Sequence, residues 1–354
     1  MEKWCSEHAI TIEDIANIEK DSKLPFNELE GKTILITGGT GQIGSALAKT
    51  LLYTIDKKRL NSKIYITSRS EDKFRRVFSK QLEKNCPIYF TNYKLEHEIP
   101  EKEHYDYVIH TASITDSLSF IQKPCETILI NILGTKNILD YACKNNSNVV
   151  YISSMEVYGK TPTELVQEDT VGTLDHFALR SSYSESKRCS ELLCKSYFSE
   201  KNVNVKILRP TLTFGTALDD SDNRIYAQLI RSIINKTDII LHTEGKTTRD
   251  YLYIYDAVHA IISVLLLGEP GEAYNISNEE TYCSILDMAK LAKSIEPSIK
   301  IIFDLDKNIS KRYSPEIKIK LDNSKINSIN DFNKNSLLDI FKKAITLTQS
   351  KSTC

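Results

Sequence analysis

KTILITGGTGQIGSALAKTLLYTI, residues 32–55, is the stretch that decides the fold. TILIT is a short run of β-branched and aliphatic residues, the composition of a strand buried on both faces. SALAKTLLYTI then repeats apolar side chains at helical spacing. Between the two, Gly38, Gly41 and Gly44 stand at GxxGxxG spacing. Glycine in such a turn admits positive φ and lets a phosphate approach the backbone, and the helix N-terminus favours the phosphate's charge. Strand, turn and helix together predict a dinucleotide cradle; a tight strand–helix turn with no ligand is the alternative.

The same alternation continues on the C-terminal side. KIYITSR (63–69), DYVIHTAS (106–113), NVVYISSM (148–155) and VNVKILRP (203–210) read as further buried strands. NILGTKNILDYACKN (131–145) and SESKRCSELLCKSYFSE (184–200) read as helices between them. Strands alternating with helices of this length predict an α/β fold, a doubly wound parallel sheet covered on both faces. Past Pro210 the order weakens. Helices are expected at 224–236, 256–268, 281–294 and 335–348, with one late strand at 299–304. The expected organisation is an N-terminal helical extension at 1–29, a dinucleotide domain at 30–210, and a smaller substrate lobe at 211–345. Some segments of that lobe are expected to return to the first domain, and 346–354 is expected to be a tail. In the extension, Ile10, Ile12, Ile15 and Ile18 form a rough stripe that Pro25 ends.

Composition limits the function. With 354 residues, 41% hydrophobic and 26% charged, the chain is neither disordered nor a small disulfide-held scaffold. Lys+Arg at 46 against Asp+Glu at 47 gives a formal charge of −1, no global pull toward nucleic acid or anionic membrane. The eight cysteines, at 5, 86, 125, 143, 189, 194, 283 and 354, include no CxxC pair, so dispersed, buried, reduced thiols are expected. His97, His104, His176 and His242 have no metal-ligand spacing, and no metal is expected. The N-terminus lacks the pattern of a signal peptide, and the apolar run AIISVLLLG (260–268) is too short to span a bilayer, so the expected location is cytoplasmic.

Two further stretches carry chemistry. The second strand ends in Thr67, Ser68 and Arg69, with no carboxylate before Glu71 and Asp72. A carboxylate there would accept from the ribose hydroxyls of NAD; Arg69 is suited to the 2′-phosphate of NADP or is simply solvated. YSESK places Tyr183 and Lys187 four apart, on one face of a helix. An ammonium beside a phenol favours the phenolate, so the pair can exchange a proton with a substrate hydroxyl. Ser154, at the C-terminal edge of a strand, is placed to orient the same oxygen.

These motifs together resemble the extended short-chain dehydrogenase/reductases, specifically the NAD-dependent nucleotide-sugar epimerase/dehydratase family. The resemblance covers roughly residues 32–345 and rests on TGGTGQIG (37–44), HTAS (110–113), NILGT (131–135), SSMEVYG (153–159), YSESK (183–187), RPTLTFG (209–215) and RDYLYIYDAVHA (249–260). It implies a Rossmann-like domain with a lobe that closes over a nucleoside-diphosphate sugar, and a homodimer built from two helices per subunit. It implies that Ser154, Tyr183 and Lys187 form the catalytic triad. Gly38, Gly41, Gln42, Ile43, Gly44, Ser68, Arg69, His110, Ala112, Ser113 and Asn131 are implied around the cofactor, with Tyr183 and Lys187. Arg249 is the implied diphosphate contact, with Arg231 on the preceding helix a further candidate and Met155 and Ser154 beside the substrate. Arg180, three residues before the tyrosine, either faces the substrate or forms a surface salt bridge; Thr213 stands where the family commonly has asparagine.

Glu156 and Met155 refine the expectation. The family's 4,6-dehydratases carry a hydroxyl residue, Asp and Glu before VYG, whereas this chain reads Ser154, Met155, Glu156. The glutamate that removes the C5 proton of a 4-keto sugar is present. The aspartate that helps expel the C6 hydroxyl is a thioether, which cannot protonate a leaving group. The expected activity is epimerase/dehydratase chemistry through a transient 4-keto sugar, with Glu156 acting at C5. An NADPH-dependent 4-keto-sugar reductase and a nucleotide-uronate decarboxylase are the alternatives, and a non-catalytic dinucleotide-binding regulator is a reading of another class.

Overall fold

The computed structural model describes residues 7–100, 103–219, 222–305 and 316–352. Seven strands form one sheet, in the order Ile88–Thr91, Lys63–Thr67, Thr33–Thr37, Tyr107–His110, Asn148–Ile152, Val205–Pro210, Ala273–Ile276. Every neighbouring pair is parallel. The chain runs outward from Thr33–Thr37 in one direction and then restarts beside it at Tyr107–His110. That reversal opens a crevice at the C-terminal ends of the two strands, where ligands of such sheets bind.

The TILIT run explains the layering. Ile34 and Ile36 point into one core, with Leu47 and Leu51 of the helix Gln42–Lys58 and with Val258 and Ile261 of Ile254–Leu267. Leu35 points into the other, with Ile138 and Leu139 of Pro124–Asn145 and with Cys194 and Tyr197 of Ser181–Lys201. Side chains alternate across a strand, so a strand apolar at every position must be covered on both faces. The last sheet strand, Ala273–Ile276, comes from beyond Pro210 and adds to the Val205–Pro210 edge.

A second sheet, of five strands, joins Asn278–Ser284, Thr248–Tyr253, Lys318–Leu321 and Leu165–Val166, with Leu212–Phe214 also pairing with Thr248–Tyr253. Most of it was not expected from the sequence. The helix expected at 281–294 begins only at Ile285, because Asn278–Ser284 is antiparallel to Thr248–Tyr253 and Ser284 then caps the helix with Asp287. The late strand is present as Ile301–Phe303, paired with Ile239–Leu241.

The N-terminal segment is part of the body. The helix Ala9–Glu19 buries Ile15 and Ile18 against the core shared with Gln42–Lys58, while Ile10 and Ile12 stay half-exposed. Asp14 is buried beneath it, accepting from Tyr253 Oη at 2.5 Å and from Lys343 Nζ at 2.6 Å. Lys343 lies on the helix Leu337–Ser352, which runs through the boundary placed at 345, so described residues 346–352 are helix and not a tail. Among the six described cysteines only Cys194 is buried and Cys125 and Cys143 are exposed, contrary to the expectation of buried thiols; Cys5 and Cys354 lie outside the described residues. Among the described residues, no helix is long and apolar enough to cross a membrane, and no cluster of His, Cys, Asp and Glu could hold a metal ion.

Candidate active site

The glycine turn has the geometry of an anion cradle. Gly38 takes φ of +65°, and a Cβ there would lie 2.7 Å from the Ala112 Cα. A Cβ on Gly44 would lie 2.6 Å from the Gly38 carbonyl oxygen and 2.7 Å from the Gly39 Cα, so only glycine lets the helix start this close to the strand. Gly41 caps the helix Gln42–Lys58 without a side-chain acceptor. The first-turn N–H groups at Gln42 and Ile43 therefore have no side-chain partner at the cap, as an incoming phosphate requires.

Residues expected around the cofactor divide into lining and support. Thr37 Oγ1 lies 2.7 Å from His110 Nδ1, and burial pushes the imidazole down to about 3, so His110 is neutral and fixed behind the turn. Ala112 abuts Gly38 directly. Ser113 Oγ donates to Asn131 Oδ1 at 2.8 Å, Asn131 Nδ2 donates to Ser186 Oγ at 2.8 Å, and Ser186 Oγ donates to the Tyr183 carbonyl at 2.8 Å. Asn131 thus ties the loop after Tyr107–His110 to the helix that carries Tyr183. Ser68 Oγ lies 2.8 Å from Thr40 Oγ1 in the glycine turn, and Arg69 is exposed.

Beside the cradle, the strand Asn148–Ile152 ends and Ser154 caps the 3₁₀ turn Met155–Tyr158, its Oγ accepting from the Glu156 N–H at 3.2 Å. Tyr183 sits in the first turn of Ser181–Lys201, where the Ser154 side chain acts on its phenol. Its ring is 7% exposed and stacks on Phe120, with centroids 4.4 Å apart and planes 9° from parallel. One turn later Lys187, 2% exposed, donates from Nζ to the Ile152 carbonyl at 2.8 Å and lies 5.9 Å from the Tyr183 ring centroid. Burial lowers Lys187 to about 7, and the nearby Glu191 opposes that shift. Burial and then the Glu156 charge raise the Tyr183 phenol; Ser154, Arg180 and Arg224 act the other way.

Glu156 does not stand alone. Arg180 grips it with both terminal nitrogens, at 3.0 and 3.1 Å, and Ser184 Oγ donates to it at 3.2 Å. Met155 is buried against Tyr158, Val166, Ile319 and Leu321, and its sulfur accepts from Thr211 Oγ1 at 3.2 Å. Of the expected arginines, Arg231 donates to the Asp222 carbonyl, and Arg249 is half-buried on Thr248–Tyr253, in register with Cys283 and Ile319.

Three participants went unnoticed in the sequence. Arg224 is held by Asp222 at 2.6 and 2.9 Å and donates to Gln42 Oε1 at 3.0 Å, linking the smaller lobe to the cradle. Phe120 packs on Tyr183 with no motif to announce it. Glu191 alone carried a local signal, its position one turn beyond Lys187. It accepts from Ser153 Oγ at 2.5 Å and from Arg209 at 2.6 to 3.2 Å, a buried pair behind the lysine.

The model of the NAD dependent epimerase/dehydratase family matches residues 34–277. UDP-glucuronic acid decarboxylase 1 of Danio rerio is 27% identical over 275 residues, which are 77% of this chain and 63% of that protein. The dTDP-D-glucose 4,6-dehydratase of Dictyostelium discoideum is 34% identical over 271 residues, which are 73% of this chain and 60% of that protein. This chain thus spans less than two thirds of the length of either relative. Among solved structures, UDP-glucose 4-epimerase of Thermotoga maritima with UDP-glucose superposes with a TM-score of 0.76 at 18% identity, covering 90% of this chain and 99% of that one. At that identity the likeness establishes the fold.

Proposed function

The chain belongs to the NAD dependent epimerase/dehydratase family, and on that premise we propose that it converts a nucleoside-diphosphate sugar through a transient 4-keto form. The observation that carries the reading is the convergence of Ser154, Tyr183 and Lys187 beside a glycine-only cradle, with Glu156 on the turn that follows Ser154. Gly38, Gly41 and Gly44, with the amides at Gln42 and Ile43, would hold the dinucleotide's pyrophosphate, and Ala112, Ser113 and Lys187 its nicotinamide half. When bound, the dinucleotide supplies an acceptor for hydride and its return. The positive charge a bound oxidised dinucleotide brings beside Tyr183 would offset the burial that holds its phenol protonated, so that Tyr183 Oη could take the proton of the sugar 4-hydroxyl while Ser154 orients that oxygen. Lys187, lowered to about 7, passes a proton onward at neutral pH. A ketone at C4 acidifies the C5 proton, and Glu156, oriented by Arg180 and Ser184, removes it.

Met155 favours a second reading within the same chemistry, nucleotide-uronate decarboxylation. A buried thioether offers no proton to a departing 6-hydroxyl, so 4,6-elimination lacks its acid. A 5-carboxylate needs none: the C5–C6 bond breaks, carbon dioxide leaves, the electron pair enters the C4 enolate, and C5 then takes a proton. The relatedness to UDP-glucuronic acid decarboxylases supports this branch. A homodimer is part of the proposal, supported by Leu129 and Leu133 on Pro124–Asn145 and Leu192 on Ser181–Lys201, all exposed.

The test is incubation in deuterated water with UDP-, dTDP-, GDP- and CDP-sugars, uronic acids included, followed by mass spectrometry and NMR. Deuterium at C5 of the product is expected, with carbon dioxide and a pentose if the uronate is the substrate. Epimerisation at C4 without exchange at C5 removes Glu156 from the reaction. Turnover unchanged in Tyr183→Phe refutes the assignment as a whole.

A further inference from the structure

We propose that the adenosine end of the cradle is built for a 2′-phosphate, so that this chain binds NADP(H) in preference to NAD(H). The inference rests on the cradle reading above and concerns only which form of the dinucleotide fits.

In a fold of this kind the adenosine ribose meets the end of the second strand. An acidic side chain there accepts from the 2′-hydroxyl and repels a phosphate, whereas an arginine accommodates one. Here the strand Lys63–Thr67 is followed by Ser68 and Arg69. Hydrogen bonds fix this end against the glycine turn: the Gly39 N–H donates to the Thr67 carbonyl at 3.2 Å, and the Gly38 N–H to Thr67 Oγ1 at 3.3 Å. Ser68 and Thr40 then bring two hydroxyls within 2.8 Å of each other, and Arg69 is the next residue out.

The charges nearby agree with this placement. Glu71, the first carboxylate after the strand, is tied up by Arg75 at 2.6 and 3.0 Å. Asp72 is exposed in the first turn of the helix Glu71–Val77. Among the described residues, the side chains of Arg69, Lys73 and Arg76 have no hydrogen-bond or ion-pair partner, and all three are exposed. A ribose 2′-hydroxyl brought here meets no free carboxylate on the strand end. A phosphate meets two hydroxyl donors and a cation able to bind two of its oxygens.

The measurement is nucleotide affinity, independent of any sugar reaction. The full chain, stripped of nucleotide, is titrated with NADP+, NAD+, 2′,5′-ADP and 5′-AMP by calorimetry, and any nucleotide carried through purification is identified by mass spectrometry. NADP+ is expected to bind at least about 10-fold more tightly than NAD+, and 2′,5′-ADP more tightly than 5′-AMP. Arg69→Ala should cost NADP+ about 10- to 100-fold and NAD+ less than about 3-fold, the loss typical of a charge-assisted contact. Ser68→Asp should reverse the preference, and Arg69→Ala, at an exposed position, should leave thermal unfolding unchanged. NAD+ binding as tightly as NADP+, or Arg69→Ala weakening both alike, overturns the preference and leaves the dinucleotide site standing. Binding of neither dinucleotide overturns the cradle reading along with it.

Discussion

Replacing Lys187 by Met should make the nucleotide-free protein more stable at neutral pH while ending turnover. The lysine is 2% exposed and is lowered from 10.5 to about 7, chiefly by burial. Its immediate partners are the Ile152 carbonyl at 2.8 Å and the Tyr151 ring at 4.7 Å. The Glu191 carboxylate helps hold the charge but is itself engaged by Arg209. Between pH 7 and 10.5 the native state binds fewer protons than the unfolded chain, so this lysine makes stability rise with pH across that window. Its penalty is absent above pH 10.5 and complete below pH 7. At about 1.4 kcal/mol per pKa unit, the penalty at neutral pH is about 4 kcal/mol.

Methionine fills a similar volume without the charge but withdraws a donor from the Ile152 carbonyl, a loss of about 1–3 kcal/mol. The variant should therefore gain about 1–3 kcal/mol at pH 7, gain slightly more at pH 6, and become the less stable protein at pH 10. Urea unfolding of both proteins, freed of nucleotide, at these three pH values measures the difference. A variant less stable at pH 7, or a difference that does not change sign by pH 10, would refute the account of Lys187 as a buried, largely desolvated amine.

Tyr183→Phe keeps the ring on Phe120 and loses only the hydroxyl, so kcat should fall by about 100-fold or more with Tm within about 2 °C of the parent, read by turnover and a thermal scan. Asp14→Ala strands Lys343 and Tyr253 without their carboxylate and should cost about 2–4 kcal/mol in urea unfolding; an unchanged midpoint would mean that the N-terminal helix is not docked as described. Asp250 is fully buried, accepts from the Leu321 N–H at 2.7 Å, and is raised to about 7 by burial. The native state there binds more protons than the unfolded chain between pH 3.8 and 7, so stability falls as pH rises through that window. Asp250→Asn should then gain about 1–3 kcal/mol at pH 8 and almost nothing at pH 4, measured by chemical unfolding at both.

What was legible in the sequence shares a physical character. Gly38, Gly41 and Gly44 sit on one continuous strand–turn–helix, and Tyr183 and Lys187 on one helical turn, so their geometry is fixed by local backbone spacing alone. Ser154 and Ser113 are far apart in sequence, but each follows a strand of a parallel sheet. Such a sheet delivers all its C-terminal strand ends to one edge, so topology stood in for contact. Arg224 had neither advantage: it reaches Gln42 across 182 positions, from a lobe whose strands are three to seven residues long and pair across the chain. The strands Thr248–Tyr253 and Asn278–Ser284 escaped for the same reason, since strand formation there depends on partners and not on alternation. The Arg180–Glu156 pair lies between these cases. Both residues were singled out individually, yet their bidentate contact requires the turn after Ser154 to face the start of the Tyr183 helix. That facing is also what the proposed role of Glu156 depends on: it leaves the carboxylate held by arginine and serine near a buried phenol. Any substrate that reaches Glu156 must arrive alongside Arg180, so under the proposed chemistry the C5 proton and the group at C6 would meet this pair together.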